Sequence, residues 1–168
     1  MGEAYIVRRG GAASAVVEDE TGRKYLYNSG DEMDSITGRW AETADGSGVC
    51  TFEESSILLE TTASLTRKGV VTNSAVDTTG YSKVCMDADV LACKGGTTQV
   101  KIGVHTSNKP VVGTSSGTST CTTVYPYSGV ERMRVSYDVS ALTAGRYVWA
   151  SLANASAASI RILKIWLE

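Results

Sequence analysis

The chain has 168 residues, enough for one domain with a substantial core and few for two. Its 16 Lys and Arg stand against 18 Asp and Glu, a formal net charge of -2, so no global basic field draws in nucleic acid or an anionic membrane. Two prolines and 17 glycines amid dense Ser and Thr, with short runs of Val, Tyr and Thr, are the composition of strands joined by small polar turns.

The chain opens Met1-Gly2-Glu3-Ala4-Tyr5-Ile6-Val7-Arg8-Arg9-Gly10-Gly11. A secretory signal needs a basic start followed by about 7–15 apolar residues, and neither is present. No run approaches the roughly 18 apolar residues of a membrane span. Gly2 follows Met1, but Ile6 occupies the position where a myristoylation signal carries Ser or Thr. These features predict synthesis in a cytoplasm, no signal peptide and no membrane insertion.

Residues 1–32 differ from the rest. An apolar piece at 5–7 is followed by the small stretch Arg8-Arg9-Gly10-Gly11-Ala12-Ala13-Ser14-Ala15, the polar turn Glu18-Asp19-Glu20-Thr21-Gly22-Arg23, and a second strand-like piece at 24–27. Two short strands around a turn bury little by themselves, so this segment reads as an attachment arm, with a sandwich from 33 to 168.

Further strands are predicted at 38–41, 56–60, 63–66, 81–93, 98–105, 120–125, 131–139, 146–152 and 159–167. Turns separate them at Asp45-Gly46-Ser47-Gly48, Lys94-Gly95-Gly96, Ser107-Asn108-Lys109-Pro110 and Thr114-Ser115-Ser116-Gly117. No segment shows helical periodicity. So many short strands predict an all-β, two-sheet sandwich of jelly-roll type. In 98–105, Val100, Ile102 and Val104 share one face, leaving Gln99, Lys101, Gly103 and His105 on a wet face. In 131–139, Met133, Val135, Tyr137 and Val139 oppose Arg132, Arg134, Ser136 and Asp138. The last strand breaks this pattern: Ile160, Ile162 and Trp166 fall on one face while Leu163, Ile165 and Leu167 fall on the other, so both faces ask for cover. A two-layer sandwich covers one face, so the other needs the arm, a long loop or another subunit, and Ile160, Ile162 and Trp166 are the residues expected in a subunit interface.

Cys50, Cys85, Cys93 and Cys121 contain no Cys-x-x-Cys pair of the kind that nucleates a zinc or redox site. They read as small buried residues, and on an unbroken strand Cys85 and Cys93 face the same side. A disulfide remains open.

His105 is the only histidine. No Gly-x-Ser-x-Gly elbow accompanies it, and on a polar strand face it reads as a solvated side chain. A glycosidase needs two carboxyl groups at a common cleft. As strand neighbours Glu53 and Glu54 point to opposite faces, and in a loop they are solvated; Asp87 and Asp89 share a face and read as an exposed acidic edge. Asp45-Gly46-Ser47-Gly48 with Glu53 offers oxygens to calcium but falls short of the twelve-residue calcium loop, so an ordinary Asp-Gly turn is the preferred reading. No catalytic residue, metal or cofactor is predicted. Sugar binding needs an exposed aromatic plate, and Tyr125-Pro126-Tyr127-Ser128-Gly129 places two rings in a turn, making Tyr125 and Tyr127 the candidate ligand contacts. Trp40, Trp149 and Trp166 read as core or interface residues.

Three blocks carry a resemblance: Ala4-Tyr5-Ile6-Val7-Arg8-Arg9-Gly10-Gly11; Val76-Asp77-Thr78-Thr79-Gly80-Tyr81-Ser82-Lys83-Val84; and an ending that runs from Tyr137-Asp138-Val139-Ser140 through Tyr147-Val148-Trp149 to Lys164-Ile165-Trp166-Leu167-Glu168. Together they resemble tail or baseplate-associated proteins of prophages in Gram-positive gut bacteria. In the middle block, Asp77 through Tyr81 also reads as a turn in which Gly80 takes positive φ. The resemblance implies an attachment segment followed by a lectin-like jelly roll, a homotrimer, other tail proteins as partners of the arm, and a place in the virion tail. The expected function is a non-enzymatic tail structural or receptor-binding protein that binds cell-surface carbohydrate. The alternative is a stand-alone bacterial carbohydrate-binding module, monomeric and independent of its first thirty residues.

Overall fold

In the computed structural model, which describes residues 18–31, 33–53, 56–95, 98–110, 119–124 and 129–168, the alternating runs form two antiparallel sheets. In chain order the elements are β1 (Lys24–Asn28), α1 (Met33–Arg39), β2 (Trp40–Glu42), β3 (Val49–Phe52), β4 (Ile57–Thr61), β5 (Arg67–Thr72), β6 (Lys83–Cys93), β7 (Thr98–His105), β8 (Ser119–Val124), β9 (Glu131–Asp138), β10 (Tyr147–Ala153) and β11 (Ala158–Leu167). A six-stranded sheet runs β3-β4-β11-β6-β9 with β1 added beside β11, and a five-stranded sheet runs β2-β5-β10-β7-β8. Strands β4 to β11 thus alternate as 4-11-6-9 against 5-10-7-8, the double Greek key of a jelly roll.

The core lies between the sheets. Val100, Ile102 and Val104 of β7, Val148, Ala150 and Leu152 of β10, and Val84, Met86 and Val90 of β6 meet Ile160, Ile162, Ile165 and Leu167 of β11 there. At about 25 cal/mol per Å² of apolar surface removed from water, this layer supplies the main driving force for folding.

The last strand owes its two apolar sets to a bulge. Opposite β6 it steps from Ile162↔Ala88 to Lys164↔Asp87, so Leu163 is an extra residue and the facing parity reverses beyond it. Ile160 and Ile162 before the bulge and Ile165 and Leu167 after it therefore all point into one core, while Trp166 points outward. This corrects the expected interface: Ile160 and Ile162 are fully buried between the sheets and are not available to a second subunit. Trp166 is covered from within the chain, by the Arg134 guanidinium 4.8 Å from its ring centre, that of Arg23 at 5.6 Å, and the Tyr25 ring at 6.3 Å.

A second bulge, at Leu91, separates Ala92↔Ser159 from Val90↔Ile160. It breaks the parity that put Cys85 and Cys93 on one face: Cys93 joins the core, whereas Cys85 stands opposite Trp166 on the outer side. Cys50, Cys85 and Cys93 are free thiols.

Lys24–Asn28 belongs to the sandwich, not to a separable arm. β4 pairs only the first half of β11, and β1 takes the remaining edge. Leu26 and Tyr27 are buried, the Tyr27 hydroxyl donates to the Ile162 carbonyl at 3.2 Å, and the Trp40 indole donates to the Leu26 carbonyl at 3.2 Å. Residues 1–17 of the expected arm lie outside the described residues.

The short helix α1 is an unexpected element. Among the described side chains of its seven residues one apolar side chain, Ile36, is fully buried, too little to display a period. Asn73 holds its end by donating through Nδ2 to the carbonyls of Thr37 and Gly38. The strand expected at 63–66 is a turn closed between Thr62 and Leu65, and the strand begins at Arg67. In the middle block Gly80 takes φ +86° and Asp77 accepts the Thr79 N–H, as its turn chemistry requires.

Candidate functional site

The outer face of the five-stranded sheet is built by the odd-numbered residues of β5, β7 and β10, because their even-numbered neighbours fill the core. Strand register sets Tyr147 against His105, Trp149 against Gly103, and Ser151 against Lys101. On the other flank of β10, Trp149 faces Val71 and Ser151 faces Gly69. Trp149 and Val71 form an apolar cluster separate from the main core, with Tyr147 packed on it. Gly103 presents no side chain beside the indole, which leaves room for the large ring.

This face is polar in sequence but dry in the structure. Lys101 and Ser151 are 0% exposed and Trp149 1%, which corrects the expected wet face on that strand. Among the described residues Lys101 Nζ and Trp149 Nε1 are buried without a hydrogen-bond partner. Both are pure donors, and burying such groups unpaired is unfavourable. No Asp or Glu occupies the outward positions 67, 69 and 71 of β5, 99–105 of β7, or 147–153 of β10.

The margin of the face is internally satisfied. Ser107 donates its backbone N–H to His105 Nδ1 at 3.1 Å, so His105 is half-buried and anchored to its own loop, not freely solvated. Arg67 pairs with Asp45 at 3.1 Å. Of the Trp149 cluster only the half-buried Tyr147 ring reaches solvent, while Trp149, Val71 and the Lys101 ammonium are buried.

The other candidates are dispersed. Tyr125, Tyr127 and Glu54 lie outside the described residues. Glu53 accepts from the Ser56 hydroxyl at 2.5 Å and pairs with Arg161 at 3.4 Å. In the Asp-Gly turn the Asp45 carboxylate is held by Arg67 and the Ser47 hydroxyl accepts the Thr66 N–H, while Gly46 takes φ +102° with the Arg67 carbonyl where a Cβ would stand. Asp87 and Asp89 form no edge: β6 is interior to its sheet, and Arg134 and Arg132 of β9 clasp them in two-pronged pairs at 2.7 and 2.8 Å and at 2.9 and 3.2 Å. A cleft of about 320 Å³ opens at one end of the sandwich over Leu26, Trp40 and Val76, rimmed by Lys24 and Asp77. The Trp40 N–H that borders it is already bonded.

Sequence reading took Trp149 as a core or interface residue and Lys101 as part of a wet face. Trp149 shares parity with Ser151 and Ala153 and opposes Val148, Ala150 and Leu152, which was the available sign that it leaves the main core.

No protein-family model matches the chain, and no curated protein matches it by sequence. Solved structures share its fold. The agarase AgWH50C superposes with a TM-score of 0.55 at 8% identity, over 87% of this chain and 24% of the agarase. A variant of CBM29-2, a family 29 carbohydrate-binding module, gives 0.50 at 12% identity over 87% of this chain and 91% of the module. The enzymatically active domain of tailspike protein 4 of bacteriophage CBA120 gives 0.50 at 12% identity, over 83% of this chain and 21% of the tailspike domain. The chain therefore spans a quarter or less of the agarase and the tailspike domain but nine-tenths of the binding module.

Proposed function

We propose that this chain is a non-enzymatic carbohydrate-binding jelly roll. The observation that carries this is the two-sheet jelly-roll order, shared at near-equal length with a carbohydrate-binding module. Titration calorimetry of the full chain against a polysaccharide panel tests it. Binding of at least one polysaccharide is expected, binding of none would overturn the reading, and release of reducing ends from a bound polysaccharide would overturn its non-enzymatic part.

The setting we favour is a phage-derived tail, where the chain acts as a receptor-binding or structural component in the virion. The three sequence blocks and the fold shared with a tailspike domain support this setting. Its elements are an attachment segment within residues 1–23, tail proteins as partners, and a homotrimer whose symmetry multiplies weak contacts. A stand-alone bacterial module is the competing setting. Light scattering on the full chain separates them: a trimer is expected in a tail, and a monomer overturns that arrangement while leaving glycan binding intact.

A further inference from the structure

We infer that the cleft between β1, the end of α1 and residues 73–77 takes the terminal ring of a glycan, with the C–H face of the ring on Leu26 and Val76 and its hydroxyls shared between Lys24 and Asp77. This rests on the reading of the chain as a glycan-binding jelly roll; it adds the place of binding and the part of the glycan that is read.

The walls of the cleft are fixed before any ligand arrives. Asn73 donates its side-chain amide to the carbonyls of Thr37 and Gly38, at 3.2 and 3.1 Å, and its backbone N–H to that of Arg39 at 2.8 Å, so the chain leaving β5 is tied to the end of α1. Val76 and Arg146 exchange two backbone hydrogen bonds, at 2.7 and 2.9 Å, which pin the far side of the same loop. Across the cleft, β1 is held by its ladder with β11 and by the Trp40 indole on the Leu26 carbonyl. A ligand therefore enters without having to order its site, which is the costly part of binding to a loose surface. At about 320 Å³ the cleft stands at the lower end of the roughly 300–1,000 Å³ of small-ligand pockets, room for a chain end and not for a run of glycan.

The lining matches the two surfaces of a sugar ring, an apolar C–H face and a polar edge. Leu26 and Trp40 form the floor, and the half-buried Val76 and exposed Ala75 form a wall. The polar edge meets the rim, where Lys24 is half-buried and Asp77 and Ser74 are exposed, so all three are within reach of a ligand from solvent. Arg39 also lines the cleft, but its guanidinium is taken by Asp31 at 2.8 Å and the Ser35 carbonyl at 3.1 Å. Asp77 accepts the Thr79 N–H at 2.9 Å, and that bond, with Lys24 adding to it, holds its carboxyl below the ordinary aspartate range, so it meets the ligand as an acceptor. An ammonium only donates and a carboxylate only accepts, whereas a hydroxyl does both. Neighbouring hydroxyls on one ring therefore satisfy Lys24 and Asp77 together, in charge-assisted bonds.

The test uses the full chain carrying 5-fluorotryptophan at its three tryptophans, with the fluorine resonances assigned through Trp149→Phe and Trp166→Phe. The probes are methyl mannoside with mannan, methyl glucoside with cellohexaose, and methyl galactoside with galactan. One methyl glycoside is expected to move the Trp40 resonance and leave those of Trp149 and Trp166 in place. Its longer partner should bind within about threefold of it per chain end, because only the terminal ring is held. Lys24→Met should weaken glycoside binding about tenfold, and Asp77→Asn, which keeps an acceptor for the Thr79 N–H, several-fold. If a variant does not fold, the resonances of the unaltered chain decide. A polymer that binds while its glycoside leaves Trp40 unmoved overturns the inference, as does movement of Trp149 or Trp166 with Trp40 still, or binding indifferent to both substitutions; in each case glycan binding elsewhere on the chain stands. Binding of no polymer and no glycoside removes both readings.

Discussion

Replacing Ile162 with Ala distinguishes a core strand from an interface strand. Ile162 is fully buried, lies opposite Ala88 of β6 and Ile57 of β4, and its carbonyl receives the Tyr27 hydroxyl. The substitution removes three carbons, about 2.4 kcal/mol of transfer free energy at about 0.8 kcal/mol for each, and the cavity left behind raises the loss to about 3–4 kcal/mol. For a domain of this size that lowers Tm by about 10 °C. Urea unfolding followed by tryptophan fluorescence, with all three indoles buried in the native state, reads the change as a shift in midpoint at constant slope. A loss below about 1 kcal/mol refutes the core placement. So does a loss that disappears at high protein concentration, because only an interface residue makes stability depend on concentration.

Deleting residues 1–33 removes β1, exposes the second half of β11 and orphans the Trp40 indole, so a larger fall in Tm than for Ile162→Ala, or loss of the cooperative transition, is expected by circular dichroism. An unchanged transition would return Lys24–Asn28 to a detachable arm. Burial, with Glu42 adding to it, pushes the Cys50 thiol up to about 12, and burial together with Glu168 pushes Cys85 up to about 11. Neither should react with a thiol reagent at pH 8 in the native state, while both react in urea; peptide mass mapping reads each site. The Glu168 carboxylate, held by the Trp166 N–H and then by Arg23, sits below the ordinary glutamate range. Its stabilisation is therefore present above the unfolded value of about 4.3 and lost as pH falls through the lower folded value. Glu168→Gln should flatten this acid limb of the stability curve, and an unchanged limb would remove Glu168 from it.

How much of this was legible depended on strand continuity. Where a strand is unbroken, as in β7 and β9, alternation alone assigned every residue to its face, because a period of two admits no other solution. Where a bulge intervenes it failed, at Leu163 and at Leu91, since one extra residue reverses all later positions and nothing in the side-chain pattern marks the insertion. The whole of β5 was missed for another reason: Arg67-Lys68-Gly69 looks like a turn by composition, and only the pairing of Gly69 with Ser151 makes it a strand. The site was the least legible part. Tyr125 and Tyr127 were chosen for local exposure, whereas the Trp149, Lys101 and Val71 cluster is assembled from three strands that only the jelly-roll order makes adjacent.

The two outer faces differ in how their polar groups are satisfied. On the six-stranded sheet each principal charge closes on a neighbour: Asp87 with Arg134, Asp89 with Arg132, and Trp166 held between two guanidiniums with its N–H on Glu168. Such a surface gains little from a ligand, because binding would have to break bonds already made. The five-stranded sheet is in a different condition: its indole N–H and its ammonium are buried and unpaired among the described residues, a cost of folding that the apolar core has to offset.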